Sequence, residues 1–471
     1  MIASTSSSRY CASAGSSSRR VLWLREIAES RPKMALIRIK CKTFPEDPTS
    51  NFNFFANERV TFSAVLDSPI TVVSRALRER FEGTTVLNVQ DTTEINLSHL
   101  NSMTGLGEIG NPKNRGLFLH PSLAVSTDGV PIGLLSAQVW ARPPSCHGKT
   151  KKRKQKAFED KESLRWWTAI EESEKRVGRP GLLVHVADRE SDIYDVFKRA
   201  QDAGYRILVR AAQDRRVEGE HSTLWAQVAS FSPAGEARAL SVPTRPAKEG
   251  KPVRAARDTS IVIRYGLVTL REPKGSGTVE MYAVQVTEVD PPAGVEPIEW
   301  LLLTTDPITS VEDAWQRVEW YRCRWRIEEF FQVLKSGCRI ESRQFESRST
   351  YEPSLAIALL TAVRLLSMVK QARVTPDAPA SSVLSQEEEH VLVQHAQAKK
   401  RLPNRICGRE HRVKCFRRAV DLWSQPAPRA GAMLPAAGST GSTAPAATAC
   451  RNPRGVVPAF LNAVTDGEQR A

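Results

Sequence analysis

The chain has 471 residues, of which 41% are hydrophobic and 25% charged, enough apolar material for two or three packed domains and too much for a wholly disordered or fibrous chain. Its 67 Lys and Arg against 52 Asp and Glu leave a net charge of +15, which points to a polyanionic partner. A membrane partner is not expected, because the longest apolar run, around residues 355–369, is interrupted by Arg364. Eight cysteines form no C-x-x-C pair, and the spacing of Cys407, His411 and Cys415 does not suit zinc, which leaves a reducing compartment as the natural setting.

Residues 1–45 show no periodicity and begin Ser-rich, without the apolar core of a secretory signal. A helix is expected over about 69–82. Residues 86–91 read as a buried strand ending in Asp91. Residues 117–126 and 131–142 read as a hairpin around Asp128-Gly129. A basic loop follows, with six cations in residues 149–156. The pattern then predicts a helix over 162–177, a second apolar strand over 182–188 ending in Asp188, a helix over 191–203 and a strand over 206–211. Strands dominate 220–310. A single long helix is expected over 311–337, and another over 353–370. Nine Lys and Arg fall in residues 399–418, and Ala, Pro, Gly, Ser and Thr dominate from about 426, which argues for a low-complexity tail.

Two acids, Asp91 and Asp188, thus end apolar strands. An acid there sits at a sheet edge on a fixed backbone, which suits convergent carboxylates, although a lone acid after a strand is also a common turn or cap residue. The predicted helix 311–337 adds Tyr321, Arg324, Glu328 and Lys335, offset from Tyr321 by 3, 7 and 14 residues. At about 100° per residue these fall at roughly 0°, 300°, 340° and 320°, one narrow stripe. A carboxylate flanked by cations suits metal-assisted chemistry on a phosphodiester. The same residues also fit an exposed helix face with an Arg324–Glu328 i,i+4 pair.

The stripe resembles the Y-x2-R-x3-E-x6-K signature of the insertion-sequence-four family of bacterial DDE transposases, which are similar to the cut-and-paste transposase of transposon five. Asp91-Thr-Thr resembles that family's first catalytic segment. Asp188-Arg-Glu-Ser-Asp192 resembles its second. The resemblance covers about residues 50–400. It implies an α/β fold: an RNase H-like catalytic core over 85–337, with an inserted all-β subdomain at about 220–310 and flanking helical regions. It reads 46–84 as a remnant of an N-terminal helical DNA-end-binding domain, 338–424 as a helical basic region and 425–471 as tail. It implies Asp91, Asp188 and Glu328 as catalytic and metal-binding residues, with Asp192 as the rival of Asp188 and assigned a capping or supporting role. It implies two Mg²⁺ ions, with Mn²⁺ as a substitute. Tyr321, Arg324, Lys335 and Arg210 are implied as DNA-backbone contacts, and Trp300 as the aromatic that stacks on an extruded base. Trp325 is expected in the core or as stacking support. The implied partners are transposon-end DNA, target DNA and a second copy of the chain in a synaptic homodimer, in a bacterial cytoplasm at the nucleoid. A nuclease of similar fold and a non-catalytic DNA-binding derivative share many of these features. Neither the usual end-reading unit within residues 1–45 nor a dimerisation segment after about 420 is recognisable.

Overall fold

The computed structural model describes residues 54–81, 83–110, 114–142, 157–242 and 255–374. The N-terminal stretch 1–45, the basic tracts 149–156 and 399–418 and the low-complexity tail lie outside the described residues. The chain divides into Asn51–Ser367 and a second unit made of Met1–Ser50 with Met368–Ala471. Of the second, only the end of one helix is described, and the account below concerns the first.

Two strands set the frame. β1 (Val86–Gln90) and β6 (Leu183–Ala187) are buried at every residue, as expected for parallel neighbours covered on both faces. They pair in parallel with Val86 opposite Leu183, Asn88 opposite His185 and Val89 opposite Val186. The same offset relates Asp91 to Asp188, so both acids leave the sheet at one level. A buried polar chain crosses this pairing. Asn88 Nδ2 lies 2.9 Å from His185 Nδ1, and His185 Nε2 lies 2.9 Å from Glu174 Oε1 on α2 (Leu164–Val177). With Asn88 donating, the second imidazole N–H donates to Glu174, which satisfies groups that would otherwise be costly to bury.

The remaining strands extend the sheet from this centre. β4 (Asn114–Ser126) runs antiparallel to β1 and carries β2 (Thr93–Asn96), β3 (Gly107–Ile109) and β5 (Pro131–Trp140) along its length. On the other side, β7 (Arg206–Arg210) continues the parallel set beside β6. The order β5-β4-β1-β6-β7, with helices between, is that of an RNase H-like core within a large mixed α/β sheet. The β4–β5 hairpin turns where expected. Gly129 adopts φ +79°, a region that favours glycine, and Ser126 N–H donates to the Val130 carbonyl at 2.9 Å. Gly116 on β4 has no room for a side chain, since a Cβ there would lie 1.9 Å from the Ile95 carbonyl oxygen.

The strands of the inserted β-rich region, expected over about 220–310, continue the core sheet. β8 (Val217–Glu218), β9 (Ala234–Val242), β10 (Arg257–Arg271), β11 (Thr278–Val289) and β12 (Glu299–Thr304) join the same sheet, because β12 pairs antiparallel with β7. It also contains a short helix, α4 (Leu224–Ala229), after α3 (Tyr194–Ala203). Six residues are too few to show a helical period in sequence.

Helices cover the sheet. α1 (Phe62–Arg80) packs on β5 and α2. It begins seven residues before the expected start, because the Thr61 hydroxyl accepts from Ala64 N–H and caps it, leaving Pro69 inside. α5 (Val311–Arg322) opens with a reciprocal Ser310–Asp313 capping box and packs on β6, β7, β10 and β11. α6 (Trp325–Gln332) reaches β1 and continues into a π-helical turn, Val333–Gly337. The last helix among the described residues, α7 (Arg348–Val374), is longer than expected and is long and apolar enough by composition to cross a bilayer. Tyr351, Leu355, Ala356, Leu359 and Ala362 on it are nevertheless buried in the protein, which is how a core helix passes the same test.

Candidate active site

The first acid follows β1 directly. Asp91 Oδ1 accepts from Thr92 N–H at 2.7 Å, and Oδ2 accepts from Arg324 Nη1 at 3.0 Å. Its side chain is 11% exposed. Burial, then the neighbouring charge of Asp188, push its pKa up from 3.8 to about 7; Arg324 pulls the other way and Glu328 adds to the rise. Asp188 follows β6 and caps a 3₁₀ turn, Arg189–Ser191, accepting from Glu190 N–H at 2.9 Å. Glu328 stands in the first turn of α6, with its side chain 39% exposed and Oε1 3.5 Å from Arg324.

Arg324 occupies the space between these acids. It sits between α5 and α6, where the expected continuous helix breaks. Cys323 N–H reaches the Trp320 carbonyl at 3.1 Å and Arg324 N–H the Tyr321 carbonyl at 2.9 Å, so the turn tightens. The π turn then loosens the winding, with Cys338 N–H donating to the Val333 carbonyl at 2.8 Å. The uniform stripe expected from the sequence is therefore divided. Arg324 and Glu328 face Asp91. Lys335 is engaged elsewhere, with Nζ 2.5 Å from the Glu94 carbonyl on β2 and 3.7 Å from Glu341 Oε1. Burial lowers the Arg324 pKa, but Tyr321 and the acids outweigh it and hold the guanidinium charged.

Tyr321, Arg210 and Trp300 form a second group beside the acids. Burial raises the Tyr321 phenol above its usual range, against the pull of Arg324 and Arg210, and the phenol pairs with Arg210. Arg210 ends β7 and donates to the Glu299 carbonyl at 3.0 Å. Trp300, half-buried at the start of β12, has its ring 6.1 Å from that of Tyr321 at a 58° tilt. Trp325 is 60% exposed, so of the two expected roles, core or stacking support, it does not fill the core.

Asp188 and Asp192 differ in their hydrogen bonding. Asp192 is 2% exposed. It accepts from Ala212 and Gln213 N–H at 2.7 and 2.8 Å and from Arg215 Nε at 2.8 Å. It anchors the loop after β7 and does not cap α3, whose N-cap is Ile193. Residues that the sequence did not single out complete the surroundings. Arg165 reaches Thr92 and Glu190, and His120 lies 2.9 Å from the Thr92 hydroxyl. Burial, then Arg165, hold His120 well below the usual histidine range, so it is neutral. Their signal was absent from sequence because each acts across the sheet.

Among the described residues, no group of three or more His, Cys, Asp or Glu side chains stands close enough to hold an ion. The donor chemistry nonetheless fits a hard divalent cation. Asp91, Asp188 and Glu328 offer only carboxylate oxygens, and burial followed by the charges of Asp188 and Glu328 raises Asp91, a cost that a bound cation would relieve.

Two outcomes are expected. Asp192→Ala leaves the buried Arg215 and two backbone N–H groups without their acceptor, and should destabilise the fold by about 3–5 kcal/mol in urea melts; an unchanged midpoint would show that the loop does not depend on it. For Asp91, the folded pKa is raised from 3.8 to about 7. The stability it contributes is therefore full below the unfolded value and lost as pH rises through about 7. In chelator-treated protein, Asp91→Asn should exceed the wild type in stability by roughly 1–4 kcal/mol at about pH 8, and the gap should close below about pH 4. Equal stability at the higher pH would show that Asp91 is not held in a charge-averse site.

Residues 161–363 match the family model of the transposase DDE domain. The matched span contains Asp188, Arg210, Trp300, Tyr321, Arg324, Glu328 and Lys335 and begins after Asp91. On that match the class of enzyme supported for this chain is a DDE transposase, a protein that acts on DNA.

Proposed function

We propose that this chain is a cut-and-paste transposase of the insertion-sequence-four type, with Asp91, Asp188 and Glu328 as its catalytic triad. The observation that carries the reading is the pair of acids at one level on adjacent parallel strands, with Glu328 brought to them by a helix that shares Arg324 with Asp91. The three carboxylates would hold divalent ions, Mg²⁺ with Mn²⁺ as a substitute, which supply Lewis-acid activation of the attacking and leaving oxygens. The remaining work falls to the protein's own side chains. Arg324, freed from the acids, and Lys335, released from the Glu94 carbonyl and Glu341, bind backbone phosphates near the scissile bond, and Tyr321 donates to the same backbone. Arg210 orients Tyr321. Water attacks at the transposon end and releases a 3′-hydroxyl, which attacks the opposite strand to form a hairpin. Once the hairpin is opened, the end joins target DNA. A homodimer would pair two ends, in a bacterial cytoplasm at the nucleoid.

The half-buried Trp300 supports the hairpin step. A hairpin at a DNA end needs an unstacked base, and an aromatic face offsets part of that cost. Its ring contact with Tyr321 ties that stacking position to the phosphate-binding group.

Incubation of the chain with Mg²⁺ and its own flanking inverted repeats tests the reading. Asp91→Ala, Asp188→Ala and Glu328→Ala should each abolish cleavage while leaving DNA binding within about twofold, since two clustered cations need all three carboxylates. Cleavage that survives in any one of them removes that residue from the triad, and cleavage without strand-transfer products identifies a nuclease instead. Trp300→Ala should slow hairpin formation about tenfold or more, on a stacking contribution of about 1–3 kcal/mol, and spare first-strand nicking. Equal loss in both steps with a lowered Tm would assign Trp300 to the core.

A further inference from the structure

The two acid-bearing turns are joined by one side chain that touches neither acid. Arg165 stands in the first turn of α2 and is 14% exposed. Its Nε donates to the Thr92 hydroxyl at 2.8 Å, and its Nη2 donates to Glu190 Oε2 at 2.7 Å. Thr92 and Glu190 are the residues whose backbone N–H groups hold the acids: Thr92 N–H holds Asp91 Oδ1 at 2.7 Å, and Glu190 N–H holds Asp188 Oδ1 at 2.9 Å. The arrangement is therefore paired. One guanidinium grips two side chains, and the backbone of each gripped residue fixes one oxygen of an acid.

Arg165 is itself fixed at both ends. Its carbonyl accepts from Gln138 Nε2 on β5 at 3.0 Å, and its Nη1 donates to the Glu162 carbonyl at 3.1 Å. The Thr92 hydroxyl is oriented as well. It accepts from Arg165, so its one proton is free for His120 Nδ1 at 2.9 Å. The other His120 nitrogen lies 3.4 Å from Gln90 Oε1 on β1. A planar fork with several fixed donors can hold two acceptors in set directions, whereas a lysine ammonium acts as a point charge.

We propose that Arg165 is a positioning residue that locks the Asp91 and Asp188 turns to each other, so that the two carboxylates keep the relative placement that the proposed ion site needs. The proposal rests on the transposase reading for its catalytic consequence, but the clamp itself is a property of the free protein. Two measurements keep these apart. Amide hydrogen exchange of the uncomplexed full chain should show faster exchange at residues 91–93 and 188–191 in Arg165→Ala than in the wild type, with the sheet interior unchanged. Unchanged exchange in both turns overturns the clamp, whatever the activity.

Cleavage of the flanking inverted repeats then tests positioning. Arg165→Ala and Arg165→Lys should lower kcat about a hundredfold, the scale of a misplacement of about 1 Å, with DNA affinity held within about twofold. Added ethylguanidinium should restore part of the rate to Arg165→Ala and none to Arg165→Lys, a rescue that a general loss of folding would not show. Thr92→Val, which keeps the shape and removes the hydroxyl, carries the test if Arg165→Ala fails to fold. It cuts one of the two grips and should show a loss of the same order, and the double variant should lose little more than Arg165→Ala alone, because that change already breaks the clamp. A normal rate with loosened turns, or a loss that follows Tm and is not rescued, overturns the positioning role. A wild-type chain that cleaves no repeat sinks the transposase reading, while the exchange result still decides the clamp.

Discussion

The parallel pairing of β1 with β6 is the constraint on which the site depends. Both strands are buried on both faces, so neither can slip by one residue without turning its side chains to the wrong layer. The Asn88–His185–Glu174 chain adds a directional lock at the centre of the pairing, because its partners are fully buried and have no water to fall back on. With the register fixed, Asp91 and Asp188 emerge together. Everything else at the site answers the electrostatic problem this creates, two carboxylates side by side at the end of a dry sheet.

The answers differ for acids four residues apart. Asp192 is fully occupied by Arg215 and two backbone N–H groups and is a structural anchor. Asp188 takes one backbone N–H and leaves its other oxygen to the site. Asp91 is buried, repelled by its neighbours and steadied by Arg324, with its pKa near the middle of the physiological range. Arg324 can fill that role only because the helix breaks at its position; a continuous α-helix would have presented the residue at a different angle.

The β-rich region 220–310 contributes by continuity. β12 pairs with β7 and so carries Trp300 to the end of the strand that bears Arg210, with Leu302 opposite Arg210 in register. A detached subdomain would have left the Trp300–Tyr321–Arg210 group to an interdomain contact. As one sheet, the region holds those three side chains on the same frame as the acids.

The strand ends Asp91 and Asp188, the hairpin at Asp128-Gly129 and the residue types at 321, 324, 328 and 335 were legible in the sequence, because each rests on a local pattern: an apolar run and its stop, a turn dipeptide, a helical spacing. The start of α1 was not, since a Thr61 cap outweighed the preference of Pro69 for a first turn. The short strands β2 and β3 were missed for want of length. The division of the stripe, which sends Arg324 to Asp91 and Lys335 to the Glu94 carbonyl, depends on a tightened turn and a π turn that no periodicity announces. The roles of Arg165, Thr92 and Asp192, and the exposure of Trp325, came only with the tertiary structure. They are set by hydrogen-bond partners 20 to 73 residues away in the chain and by what the sheet leaves uncovered. Sequence determined which groups were present; the register of the sheet and the breaks in the helix decided which of them meet.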